Sequence, residues 1–105
     1  MPADNPSLDS VLHAIADPTR RRILQALKEG VVSAKVAGKR AGLGPCLCAG
    51  DIEERVQLSQ PTISHHMAIL TKAGLVEATK QGQWRWYRRN EKAIRQAAKT
   101  LRGKL

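Results

Sequence analysis

Two cysteines separated by one residue are the side chains with the clearest potential for chemistry. Cys46 and Cys48 are the only cysteines of the 105-residue chain. In an extended segment, residues i and i+2 point to the same side, and Pro45 favours an extended approach to the helix that follows. Near a helix N-terminus a thiol has a lowered pKa and reacts or binds soft metals more readily. A thiophilic sensor, a redox switch and two small semi-buried residues without a ligand all stay open.

A second group of side chains is suited to reading DNA bases. The segment after Ser59 has apolar residues at helical spacing on one face and small polar residues on the other. A helix that packs by one side and offers short hydrogen-bonding groups on the other suits the major groove. An ordinary amphipathic surface helix has the same pattern. The apolar stripe is Ile63, Met67 and Leu70, and the candidate DNA contacts are Gln60, Thr62, Ser64 and His65.

The elements around this helix predict a helix-turn-helix followed by a hairpin. Residues 51–56 form a first short helix, Ser59 is the N-cap of the second, and Pro61 fits its first turn. Residues 75–80 and 83–88 are strand-like, with Gln81 and Gly82 as the turn. This order is that of a winged helix. Lys80 and Arg85 are candidates for phosphate or minor-groove contact.

The tryptophans of the predicted hairpin share one face of their strand. Trp84 and Trp86 are two residues apart and should pack on the domain, as its only large aromatic core.

Three further helices are predicted from apolar spacing and caps. Residues 7–16 form the first, Asp17 and Pro18 begin the second, which ends at Gly30, and residues 91–101 form the last. Arg20, Arg21 and Arg22 fall in a first turn, against the helix dipole, and are interpreted as solvated, paired with acids, or in contact with phosphates. Residues 1–6 are a predicted flexible tail, and residues 7–105 a single domain. Residues 30–45 have no clear period and are interpreted as an insertion that touches DNA, carries a sensor or is merely tolerated.

Charge and composition narrow the class of partner. The net charge is +9, and residues 61–105 carry +8 of it, with ten Lys or Arg against two Asp or Glu. This asymmetry favours a polyanion, namely nucleic acid, over a membrane surface, which needs large apolar residues on the basic segment. No catalytic motif is visible, so the chain is predicted not to be an enzyme. With no signal pattern and no apolar run of about 20 residues, we expect a cytoplasmic protein without membrane contact.

Three long segments resemble the ArsR/SmtB family of bacterial repressors: IADPTRRRILQAL, LSQPTISHHMAILTKAGLV and GQWRWYRRNE. The resemblance implies a mainly α winged helix-turn-helix of about five helices and a two-stranded wing. It also implies a homodimer built on the first and last helices, and a repressor that binds double-stranded operator DNA. It gives His66 a role in packing or in a hydrogen bond inside the domain. A protein- or RNA-binding winged helix is the competing class.

The cysteine pair resembles the arsenic-type metal box of that family, with two departures. Ala49 and Gly50 intervene before Asp51, and the third cysteine typical of the arsenite site is absent. The resemblance implies trivalent arsenic or antimony as an inducer held by Cys46 and Cys48, with no cofactor required for folding. The segment AGDIEER instead resembles effector-independent members, with Cys48 in an N-cap position and Asp51 three residues on. Zinc sites on the last helix of other members need His, which that helix lacks.

Overall fold

Five helices and a small sheet make up the described part of the chain. The computed structural model describes residues 7–30 and 45–105. The predicted tail and the central residues of the predicted insertion, 31–44, lie outside the described residues. The helices are α1 (Leu8–Ile15), α2 (Pro18–Glu29), α3 (Ala49–Val56), α4 (Gln60–Lys72) and α5 (Glu91–Lys104), and the strands are β1 (Leu47–Cys48), β2 (Val76–Gln81) and β3 (Trp84–Arg89).

The predicted caps of α2 are present. The Asp17 side chain accepts hydrogen bonds from the backbone N–H groups of Thr19, at 2.7 Å, and Arg20, at 3.2 Å. Desolvation acts to raise the pKa of this carboxyl, but these hydrogen bonds outweigh it and the pKa is lowered. Gly30 ends the helix with φ +63°, and its N–H donates to the Ala26 carbonyl. Both ends of α2 therefore follow from local residue chemistry.

The predicted helix-turn-helix is confirmed. Gln57 takes a left-handed conformation, φ 58°, and its N–H donates to the Glu53 carbonyl, which stops α3. Ser59 is the N-cap of α4, as expected, although its hydroxyl hydrogen-bonds the Thr62 hydroxyl at 3.0 Å instead of the helix N–H groups. The turn between the two helices is thus three residues long, and it fixes where α4 begins.

The sheet has one more strand than predicted. β1 pairs antiparallel with β3, and β3 pairs with β2, giving the order β1-β3-β2. The wing hairpin is therefore extended by the segment that carries the cysteines. Its turn is also shifted by one residue, because Gln81 pairs with Trp84 and leaves Gly82 and Gln83 as the two turn residues. Gly82 has φ +61°, which suits the first central position of a tight hairpin turn.

The core is aliphatic, as the composition predicted, but the aromatic side chains divide differently. Trp86 is buried with Cys46 and Cys48, with Trp84 half-buried beside them, in a cluster separate from the main core. Tyr87 is the aromatic residue that packs against the main core. Both tryptophans pack on the domain, as expected, but strand alternation places them on the face of the sheet away from the main core. The main core includes Ile23, Leu27, Leu47, Ile52, Ile63, Met67, Leu70 and Val76.

The two terminal helices lie together. α5 runs three residues beyond its predicted end, and the Asn90 side chain caps it by accepting from the Ala93 N–H at 3.0 Å. α1 packs against α5, and an apolar groove remains between them. The side chains that line the groove include Val11, Ile15, Leu24, Ile94, Ala97 and Leu101. Among the helices of residues 7–30 and 45–105, none combines the length and apolarity of a membrane span.

Gly30→Ala tests the left-handed end of α2. A Cβ there would sit 3.1 Å from Pro45 Cα, and an L residue at φ +63° is strained. We expect a loss of about 1–2 kcal/mol in the free energy of unfolding, measured by urea denaturation. Gly103→Ala is the matched control, because Gly103 lies inside α5 with open space around it. That variant should be neutral or stabilised by up to about 1 kcal/mol. Equal stability of the two variants would contradict the assigned conformation of Gly30.

Candidate nucleic-acid interface

The second helix of the helix-turn-helix exposes the side chains predicted to read DNA. Ile63, His66, Met67 and Leu70 are buried, and at about 100° per residue they occupy an arc of about 100° on α4. All four predicted contacts are exposed on the remaining arc. Ser64 and His65 lie closer to its centre, and Gln60 and Thr62 lie towards its edges.

Two small apolar side chains share this arc and were not singled out from the sequence. Pro61 and Ala68 are exposed, and with Ser64 and His65 they follow the spacing i, i+3, i+4, i+7. The sequence signal was present in this spacing, but a search for polar groups alone passes over it. Small apolar side chains contact thymine methyl groups in the major groove. The exposed arc therefore offers apolar as well as hydrogen-bonding contacts.

The wing carries a pair of like charges at its tip. Lys80 and Arg85 are directly opposite each other in the β2–β3 register and both are exposed. Like charges at directly opposed positions destabilise a hairpin. A nearby polyanion would relieve this repulsion, and only the Gln81–Trp84 pair separates these two residues from the Gly82–Gln83 turn. The two residues predicted for the wing are thus brought together by strand pairing.

Behind α4 the structure contains a buried arginine, and of its three interpretations the pairing with an acid is the one found, because Arg20 Nη1 lies 3.9 Å from Asp17 Oδ2. Arg20 is only 6% exposed, so neither a solvated role nor a phosphate contact holds for it. Its Nε donates to the Ala14 carbonyl at 2.7 Å and its Nη2 to the His13 carbonyl at 3.0 Å. These carbonyls belong to the last turn of α1, where helix carbonyls have no partner within the helix. Arg21 and Arg22 remain exposed, and Arg21 donates to the Ile15 carbonyl at 2.7 Å.

The two cysteines lie side by side on one face of the extended segment, as their spacing predicted. Cys46 and Cys48 are 1% and 5% exposed and pack against Trp86, which is 1% exposed, while Leu47 points into the main core. Cys48 is the N-cap of α3 and pairs with Trp86 across the sheet. The expectation of an extended thiol pair leading into the helix is met.

The expectation of a reactive Cys48 thiol was wrong. Burial raises the pKa of Cys48, and the neighbouring Asp51 carboxylate acts in the same direction through its charge and through the hydrogen bond it accepts from Cys48 Sγ at 3.4 Å. Backbone N–H groups at the start of α3 favour the thiolate but do not outweigh burial. Cys48 is therefore held as a thiol in this conformation.

The donor set of this cluster consists of two thiols. Within residues 7–30 and 45–105, no three His, Cys, Asp or Glu side chains come together as a metal-binding group. Two adjacent thiols facing one side are ligands suited to a soft, thiophilic metalloid. They are not a complete four-ligand structural zinc site.

Comparisons with known proteins agree on one family. Residues 15–79 match the family model described as a helix-turn-helix domain. The transcriptional repressor SdpR of Bacillus subtilis is 37% identical over 83 residues, which cover 79% of this chain and 76% of that protein. An arsenical resistance operon repressor of Staphylococcus aureus is 36% identical over 83 residues, covering 79% of this chain and 65% of that protein.

A solved structure extends the agreement to the fold. The ArsR-like transcriptional regulator from Rhodococcus sp. RHA1 superposes with a TM-score of 0.69 at 32% identity, covering 90% of this chain and 73% of that one. The matching proteins are regulators built on a helix-turn-helix, not enzymes. The three-stranded sheet, the exposed arc of α4 and these similarities together show that the chain belongs to the ArsR/SmtB family of winged helix-turn-helix transcriptional regulators.

Proposed function

We propose that this chain is a homodimeric repressor that binds operator DNA through α4 and the wing, and releases it when a thiophilic effector binds Cys46 and Cys48. The exposed arc of α4 is the observation that carries the DNA-binding part. Its centre holds His65 beside the small side chains of Pro61 and Ala68, which let the helix approach base edges closely, and Ser64 lies to one side of them. The wing tip adds Lys80 and Arg85 for the phosphate backbone or the minor groove.

The apolar groove between α1 and α5 supports the homodimer. Leu12 of α1 is 39% exposed, and Ile94 and Leu101 of α5 are only half-buried along the groove. A second copy that packs on α1 and α5 would bury these side chains and place two α4 helices on one duplex. Two-fold symmetry then predicts a near-palindromic site with half-sites about 10 bp, or a multiple of that, apart.

Arsenous acid is the effector that the two-thiol cluster and the named relatives favour. As(OH)₃ condenses with two thiols to form two As–S bonds and release two water molecules, and arsenic stays trivalent, with one hydroxyl as its third ligand. Antimonite reacts in the same way. Arsenical resistance operon repressors of Staphylococcus aureus and Escherichia coli are 36% identical to this chain in the matched regions. With only two thiols per protomer, we expect weaker binding than at a three-cysteine site.

Effector binding would act on the helix-turn-helix through Cys48. This residue begins α3, and its Sγ–H donates to Asp51 of the first turn of that helix. The buried cluster around Trp86 must open before arsenous acid reaches the thiols, and formation of the As–S bonds then removes the donor from Asp51. Because α3 packs on α4, movement of α3 reaches the DNA-reading helix. Release follows if the effector binds the DNA-free conformation more tightly than the DNA-bound one.

A disulfide switch fits the geometry less well. Residues i and i+2 of an extended segment are about 6.6 Å apart at Cα. Disulfides usually span about 4.4–6.8 Å and most often about 5.5–6 Å, so the extended segment holds the two Cα atoms at the long end of this range, and a Cys46–Cys48 bond would favour a more contracted backbone. An effector-independent repressor is the other alternative, and both are distinguished from the arsenic hypothesis by the variants below.

The first prediction from this function is a steep salt dependence. Each phosphate contact contributes about 0.9 to the slope of log affinity against log salt concentration. Replacing Lys80→Gln together with Arg85→Gln should lower the magnitude of this slope by about 2 per protomer, measured by fluorescence anisotropy on a random-sequence duplex. The matched control is Arg95→Gln with Lys99→Gln on the exposed side of α5, which removes the same charge away from the interface. Equal slopes for the two double variants would refute the wing assignment.

The second prediction concerns base readout by α4. A duplex is first recovered by selection from a random library with the parent protein. Thr62→Ala, Ser64→Ala and His65→Ala should each reduce the ratio of the affinity for that duplex to the affinity for random DNA, because each base contact contributes about 1–3 kcal/mol. A selected duplex without two-fold symmetry, or a preference for single-stranded RNA, would argue for the competing class of winged helix.

Thr71→Ala is the control on the same helix. Thr71 is exposed near the C-terminal end of α4, far from its first turn, and its loss should leave discrimination unchanged. Thermal unfolding of all four variants separates lost contacts from lost fold, which matters for Thr62 because its hydroxyl also bonds Ser59. If all three interface variants discriminate like the Thr71 control, α4 does not read the bases.

The third prediction concerns the cysteines. Arsenite should quench or shift the tryptophan fluorescence of the parent, because Trp86 packs on both thiols, and should release the selected duplex. A Cys46→Ser, Cys48→Ser double variant should bind the duplex equally well without arsenite, since Ser serves as an N-cap at position 48. It should show neither the fluorescence change nor the release.

The outcome separates the alternatives. A parent that stays bound at saturating arsenite is effector-independent or responds to another signal. Release by diamide but not by arsenite would identify the redox switch. Equal release of the double variant by arsenite would place the effector elsewhere.

A further inference from the structure

The strongest unexplained feature is a buried arginine–histidine contact on the core side of α4. Arg20 Nη1 lies 3.1 Å from His66 Nδ1, and the other guanidinium nitrogens hold the last carbonyls of α1. A guanidinium has donors only, so His66 Nδ1 must accept and the ring must be neutral with its proton on Nε2. One side chain of α2 thereby ties the end of α1 to the middle of α4.

The surroundings disfavour a proton on His66. The charged or titratable groups around its ring are Asp17 and Arg20 of α2 and His65 of α4 itself, whose ring centroid is 5.6 Å away. α1 meets the contact through the backbone carbonyls of His13 and Ala14. Burial lowers the pKa of His66 below its ordinary value, Arg20 and His65 act in the same direction, and Asp17 opposes them. A proton on Nδ1 would also face the Arg20 Nη1 donor at 3.1 Å and abolish the hydrogen bond between them.

The contact is placed where it can set the orientation of α4. His66 is buried on the core side, while its neighbour His65 lies on the exposed arc proposed to enter the groove. Breaking the Arg20–His66 contact frees α4 from the end of α1, and α1 is one of the two helices of the proposed dimer interface. The angle between the two α4 helices of a dimer would then be restrained by one contact fewer.

We propose that Arg20 and His66 are positioning residues for the DNA-reading helix, and that DNA binding requires the neutral form of His66 and is lost on acidification. This inference rests on the proposed DNA-binding function. Because the pKa of His66 is lowered in the folded protein, the contact is complete above the ordinary histidine pKa of 6.5 and is lost as the pH falls through the lowered value. Protonation of exposed His65 beside phosphates would have the opposite effect and strengthen binding. The sign of the pH dependence therefore distinguishes the two histidines.

The test compares the parent with His66→Asn at constant ionic strength. Asn Oδ1 can accept the Arg20 hydrogen bond near the position of Nδ1 but does not titrate. On the selected duplex, we expect the parent to lose about tenfold or more in affinity between pH 7.5 and pH 5.0 relative to His66→Asn. His65→Asn is the matched control at the adjacent histidine: its affinity at pH 7.5 should be lower because a base contact is lost, but the further loss between pH 7.5 and pH 5.0 should be at least as large as in the parent. Parallel pH profiles of the parent and His66→Asn would overturn the proposal.

A DNA-free measurement keeps this inference separate from the proposed function. Amide hydrogen exchange along α4 should accelerate in the parent as the pH falls, after correction for intrinsic exchange rates, and not in His66→Asn. If this difference appears while the parent binds no duplex at pH 7.5, the DNA-binding function fails and the positioning contact stands. If α4 exchange is the same in both proteins, the positioning role is wrong.

A second variant covers the case in which His66→Asn does not fold. Arg20→Met with His66→Leu replaces the buried polar contact by apolar side chains of similar size, a change that buried ionic groups often tolerate. This protein should fold and show a flat profile of affinity against pH over the same range. A fall in affinity equal to that of the parent would contradict the role of His66.

Discussion

The burial of one face of α4 is the constraint on which the rest of the structure depends. Ile63, Met67 and Leu70 are held in the main core, so the helix cannot rotate without exposing them. Each such side chain contributes about 1.5–3 kcal/mol by its removal from water. The remaining arc of the helix is consequently presented to solvent in one orientation. A side chain that reads a base edge has to be positioned within tenths of an ångström, and packing on the opposite face provides that accuracy.

Polar contacts add directional information to this packing. Apolar burial alone permits small sliding movements, whereas the Arg20 guanidinium joins fixed acceptors on α1 and α4. A buried arginine that loses its acceptors is strongly destabilising. Movement of α1 or α4 away from Arg20 is therefore unfavourable. The contact thus links the orientation of α4, the helix proposed to read DNA, to α1.

The cysteine cluster shows the opposite relation between burial and chemistry. The thiols are packed beneath Trp86, and Cys48 is held protonated by burial and by Asp51. A thiol in this state is protected from adventitious oxidation, since the thiolate is the reactive form. The proposed effector would therefore have to open the cluster before it binds. That requirement would couple its binding to movement of the β1–α3 junction.

Local chemistry in the sequence determined most of the elements. Asp17 with Pro18, Gly30, Ser59 and the alternating hairpin marked their positions within a few residues, because caps and turns depend on neighbouring residues only. The exposed arc of α4 also followed from spacing, and the long ordered motifs of the helix-turn-helix carried the family resemblance that the comparisons confirmed.

Tertiary structure decided what depends on partners distant in the chain. β1 is two residues long, and although Pro45 indicated an extended segment, no local signal announced that this segment pairs with β3. The same pairing turned Trp86 away from the main core and onto the cysteines, and burial reversed the expected shift in the pKa of Cys48. The sequence left Arg20, like Arg21 and Arg22, solvated, paired with an acid or in contact with a phosphate. Only the fold brings it to His66, 46 positions further along the chain, where a buried guanidinium finds its acceptors.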